Sequence, residues 1–351
     1  MGTLKDLGES GIIQMLRALT REHMPGLALG IGDDCAMFSF YDDAYYYLVS
    51  TDMLVERVHF KVGQMTPYQL GLRSLAVNLS DIAAMGGTPI ASFLSLALPP
   101  HLDESWIKSF SDGYAYLTNL HHTALLGGDT VRSNGDIVVS VTILGKVLKG
   151  DEKIRSTAQS GDLIVVSDTL GDSCAGRLIA DERNRRVEVH GTEEQTHLLQ
   201  RYYEPSPRLA LGQALSKIPG VHAMMDISDG LVSDLPKILS QSHVDATIQL
   251  DKLPISDELE TECSKRTKWS SETMAVTGGE DYELLFTISE SDLDQLPEPD
   301  RKSGIPPLTV IGRVSSMQGG EPVIHWERKK KACDEGLPPL QSLPIRDTLT
   351  H

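Results

Sequence analysis

Aspartates recur at five separated places in this chain, in Gly30-Ile-Gly-Asp-Asp34, Ser50-Thr-Asp52, Asn78-Leu-Ser-Asp81, Gly127-Gly-Asp129 and Asp226-Ile-Ser-Asp-Gly230. A single Asp-Gly pair is ordinarily a turn. Four of these five, however, lie at the end of an apolar segment, where a strand delivers its last side chain to a sheet edge. Ligands of open α/β sheets gather at such edges. Carboxylates brought together repel one another unless cations sit between them, and hard oxygen donors select magnesium or manganese over zinc. The pattern therefore demands a fold that converges several elements on a polymetal site. Mg2+ is commonly held by one or two carboxylates plus substrate phosphates, and adjoining glycines let backbone N–H groups approach an anion, so a nucleoside triphosphate is the natural ligand.

The segments between these motifs read as mixed α/β, in two domains at 1–148 and 149–351. Residues 45–50 read as a strand ending at Thr51-Asp52. Thr66-Pro67 supplies an N-cap with proline at the first helical position, and Leu70, Leu75, Leu79, Ile82 and Ala83 recur at helical spacing until Gly86-Gly87 stops the turn. Residues 91–98 read as a buried strand, 104–121 as a second helix and 137–147 as a strand. The polar stretch 148–160 reads as a linker. A second unit follows, with strands at 163–167, 224–227, 246–250 and 282–288 and a helix at 231–239. The charged 181–194 stretch reads as a solvated loop or helix end, and the Lys329-Lys330-Lys331 run as a solvated C-terminal feature.

Charge narrows the partners. Against 32 lysines and arginines stand 49 acids, a net charge of −17, which repels nucleic-acid backbone and anionic lipid and has an anionic substrate arriving with metal ions. Cys35, Cys174, Cys263 and Cys333 show no CxxC spacing, which fits a reducing compartment. No apolar run approaches the roughly 18 to 20 residues that span a bilayer, and the first residues lack the order of a signal peptide, so a cytoplasmic protein is expected.

Familiar nucleotide signatures are absent from the sequence. Gly145-Lys146 is followed by Val147, so there is no GxxxxGK[ST], and GIGDDC lacks the third glycine of the dinucleotide fingerprint. No HExxH, GxSxG or Cys/His arrangement supports covalent catalysis. Asp81 shares a helix face with Asn78, and metal ligation is the preferred reading over a solvated stripe. His59 by itself reads as packed or superficial, and Arg155 in the linker suits a phosphate and solvent equally. Gly278-Gly-Glu-Asp-Tyr-Glu-Leu284 reads either as a tight turn or as a polar lip.

Taken together and in order, GIGDDCA, VSTDMLVERVHF, LAVNLSDIAAMGGTP, LLGGDT, MDISDGLVSDL and GGEDYELLFT resemble the thiamine-monophosphate kinase family, of the ATP-binding superfamily typified by aminoimidazole ribonucleotide synthetase. The agreement runs from Gly30 to Phe286. The resemblance implies phosphoryl transfer from ATP to thiamine monophosphate, assisted by several Mg2+ ions. It implies magnesium ligands at Asp34, Ser50, Thr51, Asp52, Asp81, Asp129, Asp226 and Asp229, with Asp52, Asp81 and Asp129 carrying catalysis. Nucleotide contacts are implied at Gly128, Asp129, Arg155 and Ser228, and acceptor contacts at His59 and Glu280. The implied architecture is an N-terminal α/β domain whose strands pair with a second subunit into a barrel, giving a homodimer, and a C-terminal α/β domain that closes the cleft.

One departure concerns the tail. The family usually ends with an aromatic that stacks on the substrate, whereas here the corresponding stretch is Cys333-Asp-Glu-Gly-Leu-Pro-Pro339, and Trp326 is the nearest ring. Two other readings stand beside the kinase: a sibling ATP-dependent enzyme with a different phosphate or amide acceptor, and a non-catalytic acidic cation-binding protein. The second leaves the ordered coupling of aspartates to glycine turns and GGEDYEL unexplained.

Overall fold

Thr66 starts the helix on which the molecule is organised. Its hydroxyl accepts from Gln69 N (3.2 Å) and the Gln69 side chain accepts from Thr66 N (3.1 Å), a capping box that with Pro67 opens the helix Pro67–Ala84. The chain leaves it through Gly86, at φ 70°, a conformation that glycine adopts without penalty. Leu75, Leu79, Ile82 and Ala83 are fully buried, and so are Arg73, Asn78 and Ser80 on the same helix. A helix covered on nearly every side is an internal element, and this one lies between the two halves of the molecule.

The computed structural model describes residues 11–17, 24–40, 44–184, 192–300 and 302–328; Lys329-Lys330-Lys331 and the 333–339 tail lie outside them. The first half forms a mixed sheet of β1 (Leu27–Leu29), β2 (Ala36–Phe38), β3 (Tyr45–Val55), β4 (Thr88–Leu98), β5 (Ala124–Arg132) and β6 (Val138–Leu148), in the order β1-β2-β3-β6-β4-β5. Only β4 and β5 run parallel. Val139, Val141, Ile143 and Val147 alternate along β6 and face the core. The helix Glu104–Leu120 crosses Pro67–Ala84 at paired glycines: a Cβ on Gly71 would lie 2.0 Å from Phe110 O, and one on Gly113 would lie 1.9 Å from Tyr68 O.

A second sheet follows the order β12-β9-β11-β7-β10-β8, built from β7 (Leu163–Ser167), β8 (Val221–Asp226), β9 (Val244–Gln249), β10 (Leu284–Ile288), β11 (Leu308–Ser316) and β12 (Ile324–Glu327). β7 and β10 are buried on both faces, which is why they read as continuous apolar runs. Leu163 and Val165 point into a core shared with Pro67–Ala84 and the helix Leu209–Ser216. Ile164 and Val166 point into a second core under the helix Leu231–Ser242. The two halves thus share one hydrophobic core, and Gly212 packs where a Cβ would meet Ala83 O at 2.2 Å.

The mixed α/β class is as expected, with several local differences. β3 continues past Asp52 to Val55, because Met53 to Val55 keep pairing with β6. LLGGDT lies inside a strand, β5, which continues past Asp129 to Arg132 rather than ending there. In the 181–194 stretch the helix Asp172–Asn184 ends, as expected, and the helix Glu193–Tyr203 begins, while Asp181 accepts from Lys61 and from Gln64 Nε2 (2.9 Å). Among the described residues no helix is long and apolar enough to cross a membrane.

Candidate functional site

Three carboxylates delivered by three different elements meet at the junction of the two halves. Asp34 comes from the turn between β1 and β2, Asp81 from the last turns of Pro67–Ala84, and Asp226 from the end of β8. Each offers an oxygen within 4.8 Å of the others. Two serines orient the trio: Ser50 donates to Asp81 Oδ2, and Ser80 donates to Asp226 Oδ2 at 2.6 Å. Asp52 stands two residues along β3 from Ser50 and therefore on the same face, beside Asp81.

The cluster is electrostatically frustrated without a cation. Burial, then Asp52, Asp226 and Asp34, push the Asp81 carboxyl well above the usual range, and burial with Asp34 does the same to Asp226. Burial raises Asp52 to about 6. Asp33, which sequence reasoning passed over, is raised to about 7 by burial and by Asp34. Such an all-oxygen donor set, with clustered charge and hydroxyl partners, fits a hard divalent cation.

Arg155 borders the trio. Its Nη2 donates to Asp34 Oδ1 at 2.5 Å and its Nε to Asp34 Oδ2 at 3.2 Å, while its backbone N–H donates to Asp33 Oδ2 at 3.0 Å. The segment between β6 and β7 thus hands one cation to the acidic cluster. The other expected residues lie in different surroundings. Asn78 does not join Asp81; its amide donates to Ser74 O at 3.0 Å. Thr51 turns its hydroxyl to Val141 O on β6 at 3.1 Å, as strand alternation from Ser50 and Asp52 requires. Asp229 accepts from Lys237 at 2.9 Å, and Lys237 also holds Asp234 at 2.8 Å. Gly128 and Asp129 lie on β5, the outer strand of their sheet. The row Asp52, Val141, Leu94, Gly128 crosses three strand spacings, roughly 14 Å.

On the other side of the trio the GGEDYEL segment proves to be both a tight turn and a polar lip. Glu280 N donates to Ser228 O at 2.7 Å and Tyr282 N to Ile227 O at 2.9 Å, which fastens the segment beside Asp226. Glu280 and Tyr282 adopt left-handed φ values of 69° and 52°, each costing on the order of 1–2 kcal/mol for residues with a Cβ. The three acids of the motif have different work. Asp281 accepts from Gly171 N (2.7 Å) and Ser173 N (3.2 Å) at the start of Asp172–Asn184, and burial raises it to about 8. Glu283 is buried between Arg208 and Arg201, which overcome the effect of burial and hold it low. Glu280 alone keeps a quarter of its side chain exposed, and Arg73 Nη2 donates to its Oε1 at 2.6 Å. His59 accepts from Val55 N at 3.0 Å through Nδ1. Arg73 was missed in the sequence, although an arginine in an otherwise apolar helix is a visible signal.

Trp326, the nearest ring to the tail in sequence, lies far from the Glu280 lip. It sits on β12, packed against the second core, four strand spacings or roughly 19 Å from the strand that follows Glu280. Trp326→Ala is therefore expected to lower stability by about 1–3 kcal/mol, read from denaturant unfolding, and to leave the Michaelis constant of every substrate unchanged.

Comparison with known proteins agrees with this geometry. The AIR synthase related protein N-terminal domain matches residues 32–147 and the corresponding C-terminal domain matches residues 159–325. The thiamine-monophosphate kinase of Haemophilus influenzae is 39% identical over 292 residues, covering 83% of this chain and 84% of that protein. The thiamine-monophosphate kinase of Escherichia coli strain K12 is 38% identical over 330 residues, covering 91% and 97%. Among solved structures, AaThiL complexed with AMPPCP and TMP superimposes with a TM-score of 0.79 at 32% identity, over 92% of this chain and 95% of that one.

Proposed function

Because this chain belongs to the thiamine-monophosphate kinase family, within the AIR synthase related proteins, we propose that it transfers the γ-phosphoryl group of ATP to thiamine monophosphate, giving thiamine diphosphate and ADP. The observation that carries this reading is the convergence of Asp34, Asp81 and Asp226, with Arg155 on one side and the Glu280 lip on the other.

Asp34, Asp52, Asp81 and Asp226 would hold Mg2+, with Ser50 and Ser80 fixing the carboxylates of Asp81 and Asp226. When bound, the ions neutralise charge on the phosphates being joined. The acceptor is a phosphate monoester with a second pKa near 6, largely ionised at neutral pH, so no strong general base is required of the protein. What remains is orientation. Arg155, anchored on Asp33 and Asp34, and Ser228 would contact the nucleotide phosphates, and Glu280 with His59 would hold the acceptor.

The reading includes a homodimer. Asp129 stands three strands from Asp52 within its own sheet, on a strand whose Leu125, Leu126 and Val131 are exposed, as are Phe93 on the adjacent β4 and Met53 on β3. A second copy covering that surface would bring Gly128 and Asp129 of the partner subunit to the aspartate cluster. A cytoplasmic setting follows from the use of ATP, and the net charge of −17 disfavours nucleic acid as a partner.

Incubation with ATP, Mg2+ and thiamine monophosphate should yield thiamine diphosphate and ADP in equal amounts, resolved by chromatography. ADP release that ignores thiamine monophosphate but responds to another phosphate acceptor would instead support a sibling activity. Glu280→Gln and His59→Ala should each raise the Michaelis constant for thiamine monophosphate by about tenfold and that for ATP by less than about twofold. Loss of ATP affinity with unchanged acceptor affinity would reverse the assignment.

A further inference from the structure

Glu280 and His59 come from opposite halves of the molecule, yet the structure links them through two buried side chains. Arg73, fully buried in Pro67–Ala84, donates from Nη1 to the carbonyl of Tyr202 and from Nη2 to Glu280 Oε1 at 2.6 Å. Its guanidinium lies over the Tyr202 ring, 4.9 Å from the centroid, and 5.9 Å from that of Tyr282. Tyr202 in turn donates its hydroxyl to the carbonyl of His59 at 3.3 Å. A continuous path therefore runs from Glu280 through Arg73 and Tyr202 to His59. We propose that Arg73 and Tyr202 are positioning residues that clamp Glu280 and His59 into one arrangement across the domain junction, an inference that rests on the acceptor roles proposed above.

The physical case has three parts. A buried guanidinium deprived of its carboxylate is strongly unfavourable, so Arg73 and Glu280 hold each other in place. Glu280 and Tyr282 occupy left-handed backbone conformations that persist only when their surroundings over-determine them, and Arg73 engages both side chains. The planar fork of arginine can also bond a carbonyl and a carboxylate while stacking on a ring, which a lysine ammonium cannot reproduce. The clamp engages Oε1 of Glu280, whose side chain remains one quarter exposed and so open to a ligand.

Arg73→Lys and Tyr202→Phe test this in the full-length protein. Arg73→Lys is expected to raise the Michaelis constant for thiamine monophosphate about tenfold and that for ATP less than about twofold. Adding Glu280→Gln to it should cost less than about twofold more, because both changes release the same anchor. In the ligand-free protein, amide hydrogen exchange should accelerate over 278–284 in Arg73→Lys and over 56–60 in Tyr202→Phe. If Arg73→Lys fails to fold, Tyr202→Phe decides, since it retains the ring and the carbonyl and loses only the hydroxyl. Unchanged exchange in the folded variants, multiplicative effects in the double variant, or equal losses for both substrates overturn the proposal. Accelerated exchange with an unmoved constant for thiamine monophosphate overturns the acceptor assignment beneath it.

Discussion

Asp81→Asn is expected to lower kcat by about two to three orders of magnitude at saturating Mg2+ while leaving the fold intact. Asp81 is the carboxylate that meets Ser50, Asp52, Asp34 and Asp226 at once. An amide keeps its shape but removes one full negative charge from the ion-holding set. Weakened placement of charge at a transferring phosphoryl group is worth several kcal/mol, and each 1.36 kcal/mol is about a factor of ten. The same change relieves repulsion, so the metal-free variant should melt at a higher temperature than the parent. A folded variant with near-parental turnover would remove Asp81 from the metal set. Loss of both activity and thermal stability would mark it as structural.

Without divalent cations, stability should decline as pH rises from about 4 to about 8, and Mg2+ should restore it most at the alkaline end. Asp33 is raised to about 7 and Asp52 to about 6, with Asp81 and Asp226 also raised, whereas in the unfolded chain these groups ionise near 3.9. Between those values the native state binds more protons than the unfolded one, so protonation stabilises the fold at low pH and that contribution is lost as pH climbs through the native values. A cation that binds only the folded state adds about 2.7 kcal/mol at a hundred times its dissociation constant, and protons compete for the same oxygens. Melting temperatures from pH 5 to 8, with and without Mg2+, measure both effects. A flat profile in metal-free buffer, or an Mg2+ increment independent of pH, would contradict the assignment of these aspartates to a cation site.

Local signals were readable where chemistry and neighbours in sequence coincide. The Thr66-Pro67 start and Gly86-Gly87 stop delimit the central helix because capping and positive φ are properties of a few adjacent residues. β7 and β10 announce themselves as apolar runs because both faces are buried. β5 escaped notice because an exposed edge strand carrying two adjacent glycines has neither the alternation nor the β-branched density of a half-buried strand. The reading of β3 stopped too early for a related reason: Asp52 looks like a strand end, but its pairing with β6 continues regardless of charge.

By itself the sequence determined the residue types at the site, their order, the α/β class and, through its ordered motifs, the family. Those depend on composition and short spacing, which survive without coordinates. Only the tertiary structure decided which of them meet. It brought Asp34, Asp81 and Asp226 together from positions far apart in the chain, buried Asp281 and Glu283 against structural partners beside a partly exposed Glu280, put Trp326 across the sheet from the Glu280 lip, and linked Glu280 to His59 through Arg73 and Tyr202. The reason is that hydrogen bonds, ion pairs and burial depend on distance in space, and a fold that packs a helix between two sheets makes neighbours of residues that no sequence spacing relates.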